Sequence, residues 1–129
     1  MTEPGWLAGD LPVFLHERLV ADFGGLSGVR DQGLLESAMA RPRQLHAYAR
    51  PGLVELAAAY AAGIVRNHPF VDGNKRVGFM LAYIFVVRNG YRFTPSEAAA
   101  TRAVLDLASG ALSEQAFACW LADNVTVQP

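Results

Sequence analysis

The chain has 129 residues, of which 52% are hydrophobic and 18% charged, and its formal net charge is −1 at pH 7. This composition predicts one ordered globular domain over residues 1–129 and excludes a disordered chain. The arginines are scattered and basic runs are absent, so a nucleic-acid partner held by charge is not expected.

Three features predict a cytoplasmic protein without a membrane partner. The first ten residues have neither the basic n-region nor the apolar h-region of a secretory signal. The most apolar stretch, Val77–Val87, is too short to cross a bilayer and is expected to be a buried core helix. Cys119, the only cysteine, lies beside Trp120 in an apolar run and is interpreted as a core residue in a reducing compartment, not a nucleophile.

The first half of the chain predicts three helices. The first is capped by Asp10, has Pro12 in its first turn, and runs to about Phe23, where Gly24 and Gly25 stop it. The residues from Gly24 to Gly28 are predicted to form a flexible turn. A short second helix is capped by Asp31 and ended by Pro42, and an alanine-rich third helix runs from Gly52 to about Asn67.

The second half predicts three more helices. Pro69 disfavours helix at His68, and a fourth helix then runs from near Asn74 to Asn89, closed by Gly90. It is apolar nearly all round, which predicts the central helix of an all-α bundle. Tyr91–Phe93 is a candidate extended segment. A capping box at Thr94–Glu97 predicts a fifth helix, which ends at Gly110. Ser113 is predicted to cap a last helix.

The chemistry-bearing stretch is His68–Arg76, with the sequence HPFVDGNKR. A glycine turn that leads into a helix N-terminus favours phosphate, because unpaired amides and the helix dipole both attract anions. Lys75 is the only lysine, against ten arginines, and it stands with Arg76 in the first helical turn, where cations oppose the dipole. A bound polyanion would reverse that penalty.

Two side chains of this stretch, Asp72 and His68, can each be interpreted as structural or as part of an active site. Asp72 is a candidate Mg²⁺ ligand beside phosphates, although an isolated Asp72 or Asn74 would more often be a helix cap. His68 suits a general base at neutral pH, although an isolated histidine would more often be a satisfied structural residue. Their combination with a glycine turn and two cations favours the chemical interpretation. Phe70 and Val71 are expected to point inward and fix the loop.

These residues resemble the Fic signature HPFx(D/E)GN, in the version found in Doc-type toxins. The resemblance extends over most of the chain, through the segments FGGLSGVRDQGLLESAMARPRQ (Phe23–Gln44), ELAAAYAAGIVRNHPF (Glu55–Phe70) and RNGYRF (Arg88–Phe93). It implies a single Fic/Doc-type helical bundle. In this family a flap after the first helix lies over the substrate peptide, and the resemblance implies that role for the Gly24–Gly28 turn.

The resemblance also implies an activity, namely transfer of the γ-phosphate of ATP, with Mg²⁺, to a threonine of elongation factor Tu. It assigns His68 as the general base, Asp72 as the Mg²⁺ ligand, and Gly73, Asn74, Lys75 and Arg76 as phosphate-binding residues. In adenylylating Fic enzymes a glycine occupies the position of Lys75 and an arginine that of Phe79, which favours the phosphorylating Doc type. The alternatives are a protein adenylyltransferase and a catalytically weak antitoxin-binding module.

Control by a separate protein is a further expectation. Many Fic proteins carry an inhibitory (S/T)xxxE(G/N) helix, and this sequence contains no such motif. The resemblance therefore implies a cognate, Phd-like antitoxin acting in trans. His16-Glu17 lacks the second histidine of a zinc helix and His46 has no nearby ligand partner, so neither is given a metal role.

Overall fold

A computed structural model describes residues 3 to 128 and confirms the predicted all-α fold. Six helices are joined by short connections, with one small two-stranded sheet. The helices are α1 (Leu11–Phe23), α2 (Gln32–Ala49), α3 (Leu53–Asn67), α4 (Asn74–Arg88), α5 (Glu97–Ser109) and α6 (Glu114–Asp123), and the strands are β1 (Tyr91–Phe93) and β2 (Val125–Val127). No helix in the described part of the chain combines the length and apolarity needed to cross a membrane.

Helix α1 ends where it was predicted to end, but its start differs in one detail. Its side-chain cap is absent, because Asp10 itself adopts helical angles (φ −89°, ψ −7°) and makes no side-chain cap hydrogen bond. At the other end the Gly24 N–H donates to the Val20 carbonyl oxygen and closes the last turn. The predicted capping role of Asp10 is therefore wrong.

Helix α2 passes through Pro42, so the prediction that Pro42 ends it is wrong. The predicted start is confirmed, since the Asp31 carboxylate accepts from the Leu34 N–H at 2.9 Å. An internal proline costs a helix about 3 kcal/mol. Here Pro42 is buried, and the neighbouring Arg41 forms a bidentate ion pair with Glu114 of α6, with N–O distances of 2.7 and 2.9 Å. Tertiary contacts thus hold the helix together across the proline.

The buried central helix is α3 and not, as predicted, α4. Ten of its 15 residues are buried, and it packs against α2, α4, α5 and α6. The small alanine side chains of α3 let neighbouring helices pack close to it. Gly78 of α4 approaches α3 so closely that an added Cβ would lie 2.9 Å from a Val65 methyl carbon. Helix α4 flanks α3 and leaves Tyr83 and Val87 38% and 47% exposed. Its apolar surface therefore covers the core from outside.

The C-terminal part contains the remaining corrections. Tyr91–Phe93 is extended as predicted and pairs antiparallel with β2, a strand that was not predicted. Ser96, not Thr94, caps α5, because the Ser96 side chain accepts from the Ala99 N–H at 3.1 Å. The Thr94 N–H donates to the Asn124 carbonyl oxygen and prolongs the strand pairing. Ser113 caps α6 as predicted. Cys119 is exposed, so its assignment to the core is wrong.

Candidate active site

The site begins where α3 breaks at His68. Its backbone is left-handed (φ 52°, ψ 53°), and its N–H donates to the Ile64 carbonyl oxygen at 3.0 Å. The helix break predicted from Pro69 is confirmed, although the usual conformation before proline is extended. The His68 side chain is exposed at the end of the most buried helix, within reach of solvent and of a ligand.

Phe70 and Asn74 anchor the loop to the core. Phe70 is fully buried, as predicted, whereas Val71 is 43% exposed and its predicted inward orientation is wrong. The Asn74 side chain accepts from the Phe70 N–H and donates to the Phe70 carbonyl oxygen, both at 3.0 Å. Both ends of this buried amide are therefore occupied. Phosphate binding by Asn74 remains a prediction, and its backbone N–H is the group left for it.

The N-terminus of α4 provides donors and positive charge. Gly73 adopts a left-handed conformation (φ 79°), and the first intrahelical bond runs from the Val77 N–H to its carbonyl oxygen. Within residues 3 to 128 the N–H groups of residues 74, 75 and 76 have no hydrogen-bond acceptor. Lys75 and Arg76 are exposed, and no described carboxylate forms an ion pair with either. This geometry fits an anion.

Asp72 presents an exposed carboxylate beside that helix end. One of its oxygens accepts from the Gly73 N–H at 2.9 Å and the other from the Leu26 N–H at 3.3 Å. Hydrogen bonds from Leu26 and Gly73, with the nearby Arg76 charge, lower the pKa of Asp72 below its usual range. Gly25 (φ 109°) allows this approach, since an added Cβ would lie 2.9 Å from the carboxylate. The residue is therefore ionised at neutral pH.

The residues of the site fit Mg²⁺ as a partner of bound phosphate. No group of three or more His, Cys, Asp or Glu side chains able to hold a metal occurs among the described residues. A cage made of protein ligands alone is thus not formed there. Mg²⁺ is commonly held by one or two carboxylates together with phosphate oxygens and water, and Asp72 supplies one such carboxylate.

A cavity of about 490 Å³ brings the predicted residues together. All six of them line it, namely His68, Asp72, Gly73, Asn74, Lys75 and Arg76. The end of α1 completes the wall through Phe23, whose ring lies 5.2 Å from the Arg76 guanidinium carbon. An imidazole, an ionised carboxylate and the unpaired N–H groups at the start of α4 therefore line one cavity.

Sequence reasoning missed the structural role of His16. The imidazole is 2% exposed, stacks on Phe70 with a 4.3 Å centroid distance, and accepts from the Gly28 N–H at its Nε2 (3.1 Å). An acceptor Nε2 places the proton of the neutral ring on Nδ1, which is buried and has no hydrogen-bond partner among residues 3 to 128. The burial of His16 could have been predicted from the sequence, because its spacing from Pro12, Leu15 and Leu19 places all four residues on one face of the helix.

The buried state of His16 predicts a pH dependence of stability. Burial lowers the pKa of His16 below its ordinary value, so the unfolded chain binds a proton more readily than the folded protein. The free energy of unfolding should therefore fall as pH drops through and below the ordinary histidine range of about 6.5. His16→Gln should be less stable at pH 8 but lose less stability between pH 8 and pH 5, measured by urea unfolding.

The control for this experiment is His68→Gln, which replaces an exposed histidine of the same site. It should keep the wild-type loss of stability on acidification, because it leaves the buried His16 imidazole in place. An undiminished loss in His16→Gln would contradict the assignment of the pH dependence to His16.

Comparison with known proteins identifies the family of this chain. The model of the Fic/DOC family matches residues 7–86, which include all six cavity-lining residues predicted from the sequence. The chain is 32% identical over 114 residues to "Protein kinase doc" of Escherichia phage P1, covering 88% of this chain and 86% of that protein. It is 48% identical over 71 residues to "Toxin Doc" of Mycolicibacterium smegmatis, covering 53% of this chain and about half (54%) of that protein. The chain belongs to the Fic/DOC family.

Proposed function

We propose that this protein is a Doc-type toxin that transfers the γ-phosphoryl group of ATP to a hydroxyl side chain of another protein. The observation that carries the proposal is that His68, Asp72 and the N-terminus of α4 line one and the same cavity. The name of the phage P1 relative, a protein kinase, supports the transfer of phosphate, and the name of the Mycolicibacterium smegmatis relative supports a toxin. Phosphoryl transfer mainly requires positioning and charge neutralisation, which this cavity offers.

The phosphate chain of ATP would lie on the end of α4. The backbone N–H groups of residues 74 to 76 would donate to it, and Lys75 and Arg76, neither of which forms an ion pair with a described carboxylate, would supply positive charge. Asp72 would hold Mg²⁺, which when bound neutralises charge on the phosphates. The loop anchor between Phe70 and Asn74 keeps these groups in place before ATP binds.

His68 would act as the general base. It takes the proton of the acceptor hydroxyl while the hydroxyl oxygen forms a bond to the γ-phosphorus. The bond between the γ-phosphorus and the bridging β–γ oxygen breaks, and ADP leaves with that electron pair. The exposed position of His68 on the cavity wall suits a large acceptor such as a protein.

The acceptor that we propose is a threonine of elongation factor Tu, on the resemblance to Doc-type toxins. The test is incubation of purified protein, ATP and Mg²⁺ with a cell lysate, followed by intact-mass analysis of modified proteins. We expect a mass increase of one phosphoryl group on elongation factor Tu. Addition of a whole AMP, or no modification of any protein, would contradict the proposal.

Lys75 should decide between phosphorylation and adenylylation. Its long side chain crowds the backbone approach that a glycine would allow to the α- and β-phosphates, and its ammonium is free to contact a terminal phosphate. The ring of Phe79 lies 5.7 Å from that of Phe93 (centroid distance) and does not line the cavity, so the position of the second arginine supplies no cation to it. Lys75→Gly should lose roughly 10- to 100-fold in phosphoryl transfer.

The matched control is Arg88→Gly, because Arg88 is an exposed cation at the opposite end of α4. It should leave the rate of transfer near the wild-type value, and its helix-end position limits the penalty of glycine. Undiminished transfer by Lys75→Gly, measured by the initial rate with ATP, would show that the ammonium is not used.

We propose that a Phd-like antitoxin inhibits the protein in trans, since the sequence has no inhibitory (S/T)xxxE(G/N) motif. Expression of the wild-type chain alone should therefore arrest growth, and co-expression of the antitoxin should restore it. Expression of His68→Ala should be harmless in both settings. Harmless expression of an active wild-type protein without any partner would contradict control in trans.

A further inference from the structure

One residue of the connection between α1 and α2 (residues 24–31), Arg30, binds three consecutive carbonyl groups of the site, two through its side chain and one through its backbone N–H. Arg30 donates from Nε to the His68 carbonyl oxygen at 2.8 Å and from Nη2 to the Asn67 carbonyl oxygen at 3.0 Å. Its backbone N–H donates to the Pro69 carbonyl oxygen at 2.6 Å. A single residue thereby binds the chain on both sides of the His68 α-carbon.

His68 requires such support, because its backbone conformation is unfavourable. A left-handed conformation costs a residue with a Cβ roughly 1–2 kcal/mol, and a following proline further restricts the backbone. His68 combines both, with φ 52° and Pro69 next in the chain. This conformation fixes the direction in which the His68 side chain leaves the backbone.

The alternative role of Arg30 is an ordinary surface ion pair, and the contacts argue against it. Its side chain is exposed, yet no carboxylate among residues 3 to 128 lies within ion-pair distance of its guanidinium. Its donors point instead at carbonyls of the α3 C-terminus, where a cation also interacts favourably with the helix dipole. The planar fork of arginine matches two neighbouring acceptors, which a lysine ammonium matches less well.

We propose that Arg30 is a positioning residue for His68: it holds the backbone of the general base in its left-handed conformation and so aims the imidazole into the cavity. The inference rests on the proposed function for the role of His68, but the hold on the backbone is independent of any reaction. It acts through His68 and needs no contact between Arg30 and the substrate.

The test compares Arg30→Gln and Arg30→Lys with Arg102→Gln. Arg102 is a matched exposed arginine, paired with Asp106 on α5 and remote from the loop. The first readout is amide hydrogen exchange at His68, whose N–H is bonded to the Ile64 carbonyl oxygen. We expect faster exchange at His68 in Arg30→Gln, an intermediate rate in Arg30→Lys, and the wild-type rate in Arg102→Gln.

The second readout is the kinetics of phosphoryl transfer. We expect kcat of Arg30→Gln to fall roughly 10- to 100-fold with little change in the KM for ATP, because a displaced base slows the reaction without removing phosphate contacts. Arg30→Lys should recover part of kcat, and it keeps the test available if the glutamine variant does not fold.

The outcomes separate this inference from the proposed function. Wild-type exchange at His68 in both Arg30 variants, or a kcat of Arg30→Gln within about twofold of wild type, would overturn the inference. A rise in KM as large as the fall in kcat would also overturn it. Faster exchange at His68 in a protein whose wild type transfers no phosphate would support the positioning by Arg30 and contradict the proposed function.

Discussion

His68→Ala and Asp72→Asn should each abolish detectable transfer and toxicity while leaving the fold intact. Loss of a general base typically slows a reaction by about 10²- to 10⁴-fold, and loss of the Asp72 charge removes the proposed anionic metal ligand. Neither side chain belongs to the core, since both are exposed on the cavity wall. We therefore expect the free energy of unfolding to change by less than about 1 kcal/mol in either variant.

Two measurements check this prediction, the initial rate of transfer and urea unfolding. Asp123→Asn is the control, because Asp123 is an exposed carboxylate at the end of α6 and does not line the cavity. It should retain wild-type activity. Destabilisation of both site variants by several kcal/mol would instead identify a loop whose function is structural.

Asn74→Ala should have the largest effect on stability of any single polar substitution in the site. It removes the partners of the Phe70 N–H and carbonyl groups, whose hydrogen bonds to Asn74 are buried. Each buried group left without a partner costs about 1–3 kcal/mol, so the free energy of unfolding should fall by roughly 2–4 kcal/mol. Transfer should fall as well, because the loop between His68 and α4 loses its anchor.

Asn124→Ala offers a comparison of the same chemical change. The Asn124 amide donates one bond, to the Trp120 carbonyl oxygen at 2.8 Å, in a half-buried position. Urea unfolding should show a smaller loss of stability than in Asn74→Ala, with unchanged transfer. Equal stability of the two variants would mean that water or a backbone shift replaces the Phe70 partners.

The fold was predictable where a local signal fixed the structure. The side chains of Asp31 and Ser113 cap helix N-termini, as predicted. Gly110, which has no side chain, ends α5 in a left-handed conformation, also as predicted. The errors arose where a distant contact outweighed the local preference. Pro42 is buried inside α2 beside Arg41, which pairs with Glu114 of α6, and Thr94 continues the pairing with the C-terminal strand, so that α5 begins only after Ser96.

The site was predictable in part for a similar reason. Six cavity-lining residues lie within nine positions of the chain, so a motif could identify them together. His16, Arg30 and the Leu26 N–H reach the site from residues that are distant in sequence, and no pattern within His68–Arg76 identifies their contacts with it. Assigning them requires the tertiary structure, which places the connection between α1 and α2 against the loop.

The most direct test of the central claim is the origin of the transferred group. Purified protein, Mg²⁺ and elongation factor Tu should be incubated with ATP labelled either at the γ-phosphorus or at the α-phosphorus, with His68→Ala in parallel. The account predicts label on the acceptor protein from the γ position alone, and none with His68→Ala. Label from the α position would identify an adenylyltransferase, and equal labelling by wild type and His68→Ala would show that this site does not perform the transfer.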